Sequence, residues 1–128
     1  MNGEPRSWTI ELPAGLKLLN SNQRIHRVPA SKITKAIREA GKDAAEEAGL
    51  PPLARAHIFG VLRPATKGRR DPANWYPSFK AAVDGLVDAG VLPDDDDKHL
   101  VGPDMRLGPV QRGSQLVLHI YELLEEAS

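Results

Sequence analysis

The sequence predicts an α+β protein, a mixed α/β layer in which two main helices form a helical face on a small sheet of about four strands. Two observations predict this class. Apolar residues alternate with polar ones in short runs, which is the pattern of strands, while two longer segments place apolar residues at helical spacing. The chain has 128 residues, of which 41% are hydrophobic, and this predicts one compact domain over residues 1–128.

The N-terminal half predicts a strand, a helix and a second strand. Apolar and polar residues alternate over residues 8–12, which predicts a short strand. Ser31 is predicted to be the N-cap of the first helix, which ends near Gly49 because a pair of prolines follows. Residues 53–62 are mostly apolar and are predicted to form a second strand at the centre of the sheet.

The C-terminal half predicts a basic loop, a helix, an acidic loop and two strands. The basic, glycine-containing loop covers residues 64–72, and the second helix covers about residues 77–89. Residues 92–99 are predicted to form an acidic loop or a short helical turn. Residues 101–107 and 115–121 are predicted to be a closing pair of strands that turn residues join.

The composition excludes several classes of function. The chain has no cysteine, which excludes disulfides, thiolate metal sites and cysteine nucleophiles. Any metal would be held by carboxylates or histidines, and carboxylates favour hard cations such as Mg²⁺ or Mn²⁺. The sequence has no apolar run long enough for a membrane span and no secretory pattern at its N-terminus. We therefore expect a cytoplasmic, intracellular protein with no membrane partner.

Opposite charges are segregated along a chain whose formal net charge is zero. Residues 17–38 and 63–70 carry basic side chains without an acid, whereas acids gather at residues 94–97 and near the C-terminus. Such segregation suits a protein that faces phosphates with cations and holds a metal with carboxylates. Ordinary surfaces are patchy too, so a structural or interaction protein with a solvated acidic loop is an alternative. The candidate DNA-binding residues are Arg24, Arg27, Arg63, Lys67, Arg69 and Arg70.

The candidate chemistry lies within residues 69–102. Asp71 and the aspartates at residues 94–97 bracket the second helix, and the basic loop leads directly into Asp71. If the helix folds back on its flanking loops, these carboxylates converge on a metal beside arginines, as phosphodiester hydrolysis requires. Simpler interpretations also fit. Asp71 precedes a proline, as an N-cap does, and Lys80 and Asp84 are one helical turn apart, as in a surface ion pair.

A family pattern matches this region. The pattern consists of a basic loop, an Asp-x-Asp-Asn motif, a Lys-Ala-Ala-x-Asp-x-Leu block and a glycine with two aspartates. The residues that match it here are Arg69, Arg70, Asp71, Asn74, Lys80, Ala81, Ala82, Asp84, Leu86, Gly90, Asp94 and Asp95. The chain thereby resembles the RusA family of Holliday-junction resolvases, which is common in phages and prophages. The specific part of the resemblance covers about 30 residues, and weaker agreement extends over nearly the whole chain.

The resemblance implies a RusA-like homodimer whose paired active sites cut opposing strands of a four-way DNA junction. It implies that Asp71 and Asp95 bind Mg²⁺, with Asp94 as a supporting neighbour, and that Lys80 assists at the scissile phosphate. The implied partners are branched DNA and a second copy of the chain, in a phage or a prophage-bearing cell. We expect the dimer to meet along an apolar seam at the N-terminal strand or the first helix.

Two departures from the family pattern bear on activity. The second acid of the Asp-x-Asp-Asn motif is Ala73 here, and three extra residues, including Pro77, lie between Asn74 and Lys80. An oxygen of Asn74, Asp94 or Asp97 would have to replace the missing carboxylate, and the expected ligands are Asp71, Asn74, Asp94 and Asp95. The alternative to an active enzyme is a catalytically weak or inactive relative that still binds branched DNA.

Overall fold

The structure is a computed structural model that describes residues 5–22 and 29–124. It confirms the mixed α and β class, with a four-stranded sheet and two main helices. Along the chain the elements are β1 (Ser7–Glu11), α1 (Ala30–Glu47), β2 (Ala56–Arg63), a 3₁₀ turn (Pro72–Trp75), α2 (Tyr76–Asp88), β3 (Leu100–Leu107) and β4 (Gln115–Glu122). None of the helices in this described part is both long and apolar enough to cross a membrane.

The strands lie in the order β1-β4-β2-β3, so the prediction that β2 is a central strand is confirmed. β4 is antiparallel to both β1 and β2, whereas β2 and β3 are parallel. Parallel neighbours need a crossover, and α2 lies in the connection between β2 and β3.

The predicted pairing of the last two strands is wrong, because β2 lies between β3 and β4. β4 buries three consecutive residues, from Leu116 to Leu118, and also Ile120, and so takes an interior place with a neighbour on each side. The turn residues carry the chain across the end of β2 instead. The amide of Gly108 donates to the carbonyl of Leu62 at 2.8 Å, and that of Gln111 donates to the carbonyl of Pro64 at 2.8 Å.

The two helices approach each other closely through glycines. A Cβ atom on Gly41 of α1 would lie 2.6 Å from the carbonyl oxygen of Ala82, and one on Gly85 of α2 would lie 2.3 Å from that of Arg38. Gly41 weakens the helical pattern in the sequence, and this contact explains its presence. The buried ring of Phe79 lies against Gly60 of β2, so α2 is held between α1 and the sheet.

The helix ends follow local sequence with one exception. Gly49, at a φ of 69°, follows α1, and Gly90, at a φ of 81°, follows α2, as expected for helix-ending glycines. Pro77 lies in the first turn of α2, where its missing N–H costs nothing. The prediction for Ser31 is wrong, since α1 begins at Ala30. Pro29 occupies the cap position and makes no side-chain bond, because its ring carries no hydrogen-bonding group; the ring fixes φ at −55° before the helix begins.

Candidate active site

Asp71 lies at the end of the basic loop and caps the 3₁₀ turn. Its Oδ1 accepts a hydrogen bond from the amide of Ala73 at 3.0 Å. The cap interpretation is therefore confirmed, although the capped element is this short turn and α2 begins only at Tyr76. A carboxylate offers about four acceptor positions on two oxygens, so the cap leaves Asp71, which is exposed, with capacity for another ligand.

Lys80 lies in α2 between two aspartates. Its Nζ donates to Oδ1 of Asp84 at 2.7 Å within the helix and to Oδ2 of Asp95 at 2.5 Å in the acidic loop. The ion pair predicted from helical spacing is thus confirmed, and Asp95 joins it from 15 residues away. The side chains of Lys80, Asp84 and Asp95 are 41%, 25% and 28% exposed, so the cluster remains open to a ligand from solvent.

The charges of this cluster reinforce one another. Partial burial lowers the pKa of Lys80, but hydrogen bonds to Asp84 and Asp95 outweigh burial and hold the pKa above its usual value. The hydrogen bond from Lys80 lowers the pKa of Asp95, against a smaller opposing effect of burial. One ammonium between two carboxylates leaves a formal charge of −1, which a cation would complement.

The acidic loop holds Asp95 in place through short-range contacts. The amide of Asp95 donates to Oδ1 of Asp94 at 2.7 Å, and Nδ1 of His99 lies 2.5 Å from Oδ1 of Asp96. The buried side chains of Val91 and Leu92 anchor the base of the loop in the core. This confirms the predicted acidic loop and gives Asp94 a place directly beside Asp95.

Asn74 is positioned by the segment that follows β1. Its backbone carbonyl accepts hydrogen bonds from the amide of Ser21 at 2.7 Å and from Oγ of Ser21 at 3.1 Å. Ser78, which sequence reasoning missed, is fully buried and donates through Oγ to the carbonyl of Leu19 at 2.8 Å while accepting from its amide at 2.6 Å. A serine on the apolar face of α2 was the available signal for this attachment.

The proposed metal ligands do not all come together. Within residues 5–22 and 29–124, no three His, Asp or Glu side chains lie close enough to hold a metal ion as a group. The structure brings Asp95 to Lys80 and Asp94, while Asp71 caps its own turn. Carboxylates are nonetheless the donors that Mg²⁺ prefers, so Asp94 and Asp95 fit a hard cation in chemistry, with one oxygen of Asp95 already occupied by Lys80.

The predicted DNA-binding residues divide into three groups. Arg24 and Arg27 lie outside the described residues. Arg63 donates to Glu11 at 2.6 Å and to Gln115 at 2.9 Å, which places it in a contact across the sheet. The last group is the basic loop, in which Lys67 and Arg69 are exposed and Arg70 is half-buried. This loop presents cations directly before Asp71.

Neither a family model nor a curated protein matches this sequence. The protein is therefore described by its fold and its site. The fold is a mixed sheet covered by two helices, and the site combines a cluster of Lys80, Asp84 and Asp95 with a cationic loop that leads into Asp71. That combination suits a ligand that carries phosphate.

Proposed function

We propose that this protein is a structure-selective, metal-dependent endodeoxyribonuclease of the RusA type that resolves four-way DNA junctions. The contact between Lys80 and Asp95 is the observation that carries the proposal. The resemblance gives Lys80 a role at the scissile phosphate and gives Asp95 a role in binding Mg²⁺. The contact brings these two residues together.

In the proposed reaction, Lys80 donates to an oxygen of the scissile phosphate, where negative charge develops. Asp94 and Asp95 would hold the cation from the acidic loop, and Asp71 and Asn74 on the 3₁₀ turn would join them only when the turn and the acidic loop come closer together than they are in the structure. A Mg²⁺ or Mn²⁺ ion held there would supply a water of lowered pKa and would neutralise charge on the phosphate. Asp84 keeps Lys80 near the cluster when substrate takes the place of Asp95.

The proposed substrate surface is the basic loop, which offers Lys67, Arg69 and Arg70 to the DNA backbone. Cutting both opposing strands requires two active sites, so the proposal includes a homodimer. β1, which is an edge strand of the sheet, or α1 is the proposed seam. A cytoplasmic setting, in a phage-infected or prophage-bearing cell, belongs to the same proposal.

A catalytically weak relative that binds branched DNA is the second candidate. Two observations favour it: Ala73 stands where the family pattern has an acid, and Lys80 already occupies one oxygen of Asp95. Such a protein would bind a four-way junction in a manner that weakens steeply with salt, because phosphate contacts release counterions.

Cleavage of a synthetic four-way junction tests the proposal, with linear duplex as the control substrate and with Mg²⁺, Mn²⁺ or EDTA in parallel reactions. We expect symmetric, metal-dependent cuts in the junction alone. Asp95→Asn should lower cleavage by roughly 100-fold or more while junction binding persists, because it removes a charged metal ligand. Asp43→Asn, the same change at an exposed position of α1, serves as the matched control and should cleave normally.

Three other results would change the conclusion. Junction binding without cleavage in any metal would favour the second candidate. Equal cleavage by Asp95→Asn and Asp43→Asn would remove the acidic loop from the active site. If the protein neither cleaves the junction nor binds it selectively, both candidates are overturned, and a structural or interaction protein is left.

A further inference from the structure

A cavity of about 230 Å³ opens at the carboxyl end of β2, where the basic loop leaves the sheet. Its walls include Leu18, Leu62, Ala65, Trp75, Arg70 and Ser114. Sites for drug-sized ligands have volumes of roughly 300–1,000 Å³, so this cavity suits a smaller group such as one flat ring system. Two of its wall residues carry planar groups, the indole of Trp75 and the guanidinium of Arg70.

These planar groups are held in place without a ligand. Nη1 of Arg70 donates to the carbonyl of Thr66 at 2.6 Å, and Nη2 donates to Oγ1 of Thr66 at 3.1 Å. Trp75 ends the 3₁₀ turn that Asp71 caps, and it packs in part against the core. A wall that is ordered before binding lowers the entropic cost of binding.

Ser114, on another wall, has a φ of 63°. This is the left-handed region, which residues other than glycine rarely adopt, and such strained positions cluster at ligand sites. The amide of Ser114 donates to the carbonyl of Gln111 at 2.8 Å, and its carbonyl accepts from the amide of Gly15 at 3.0 Å. The surrounding loops therefore hold this conformation.

The charge of the surrounding residues distinguishes this cavity from two larger ones. Cavities of about 370 and 470 Å³ lie between β1 and α1, and acidic residues line both of them, among them Glu11, Glu39, Asp43 and Glu47. Those acids repel phosphate. The smaller cavity instead adjoins a loop with three basic residues, Lys67, Arg69 and Arg70, so a nucleotide would be drawn to it in preference to the larger ones.

We propose that the cavity at the end of β2 binds a single unpaired nucleobase of branched DNA. Unpaired bases stack on aromatic rings and on arginine guanidinium planes, whereas the bases of a linear duplex remain stacked within the helix. Trp75 directly follows Asn74, so a base held here brings its phosphate to the 3₁₀ turn that Asp71 caps. This inference rests on the proposed function, because it takes branched DNA as the substrate. In a four-way junction the base would come from a pair at the exchange point, where stacking is interrupted and a pair opens at lower cost than within a linear duplex.

The two tryptophans of the chain allow a direct test. Trp8→Phe leaves Trp75 as the only indole, and Trp75→Phe leaves Trp8, which lies in β1 opposite Ile120 and far along the sheet from Leu62. Each variant is titrated with three DNAs: a linear duplex, the same duplex with one extra unpaired base, and that bulge with an abasic nucleotide. We expect the emission of Trp75 to be quenched by the unpaired base alone, and that of Trp8 to stay unchanged.

Binding affinities, measured by anisotropy on end-labelled DNA, provide the second readout. Trp75→Ala should weaken binding to the bulged duplex by about 5- to 100-fold and leave binding to linear duplex unchanged. Trp8→Ala is the matched control. Ala65→Leu narrows the cavity from an exposed wall position and should give the same selective loss, so the test remains decisive if Trp75→Ala fails to fold.

Failure of this inference is distinguishable from failure of the proposed function. If Trp75→Ala and Ala65→Leu still cleave the junction and bind the bulged duplex with normal affinity, the base site is overturned and the nuclease proposal stands. Bound DNA with unchanged Trp75 emission has the same meaning. An absence of DNA binding by the unaltered protein overturns both.

Discussion

Helix α2 contacts helix α1 and the acidic loop in opposite ways. On the side of α1, Gly85 and Gly41 let the two backbones meet with no room for a side-chain atom. On the side of the acidic loop, Lys80 of α2 reaches Asp95 through a half-exposed ion pair. The first contact is close-packed and carries stability, whereas the second is screened by solvent and contributes little stability. The charged side can therefore be changed for function without unfolding the protein, and the packed side cannot.

The largest expected effect lies on the packed side. Gly85→Ala would place a Cβ atom 2.3 Å from the carbonyl oxygen of Arg38 and 2.7 Å from the amide of Lys42, so α1 and α2 must separate. We expect the free energy of unfolding to fall by about 3 kcal/mol, measured by urea denaturation. Lys35→Ala, at an exposed position of α1, is the control and should change it by less than about 0.5 kcal/mol. A similarly small change in Gly85→Ala would show that the helices move apart freely.

An intermediate effect is expected on the charged side. Asp84→Asn removes one of the two carboxylates that share Lys80, and the ammonium then binds Asp95 more strongly and competes with a metal. Cleavage of the junction should fall by about 10-fold at low Mg²⁺ and recover at high Mg²⁺, while the free energy of unfolding changes by less than about 1 kcal/mol. A loss that no Mg²⁺ concentration restores would argue against this competition.

The smallest effect is expected at the outer end of the packed side, where Arg38 of α1 donates to Asp88 of α2 at 2.5 and 2.7 Å. The hydrogen bond from Arg38 lowers the pKa of Asp88, and the guanidinium stays protonated because its own pKa is raised. A lowered carboxyl pKa adds stability that is fully present above the ordinary aspartate pKa and is lost as pH falls through the lowered value.

The pair is tested by comparing the stability of the unaltered protein with that of Asp88→Asn as a function of pH. The difference should be constant between about pH 5 and pH 9 and should shrink as the pH falls below about 4. Asp43→Asn, at an exposed position of the same helix layer, should show no such trend. A difference that persists unchanged into acid would mean that Asp88 acts through packing.

Much of the local structure was predictable because it depends on neighbours within a few residues. Alternation over residues 8–12 and helical spacing over residues 77–89 placed β1 and α2 to within a residue or two. The end of the first helix near Gly49 was interpreted correctly for the same reason, and the second helix, predicted from about residue 77, begins at Tyr76. Ser31 was misassigned because Pro29, two residues earlier, sets the helix entry without a side-chain hydrogen bond.

By itself, the sequence determined the fold class, the order of the helices and strands, and the residue types of the candidate site. These depend on periodicity, turn residues and charge runs, which act over short distances. Only the tertiary structure decided that β2 separates β3 from β4, and that Asp95 reaches Lys80 while Asp71 caps its own turn. Strand neighbours depend on which strand buries both faces, and contacts across 15 residues depend on how a loop folds back. Both follow from the packing of the whole chain, which no short window of sequence contains.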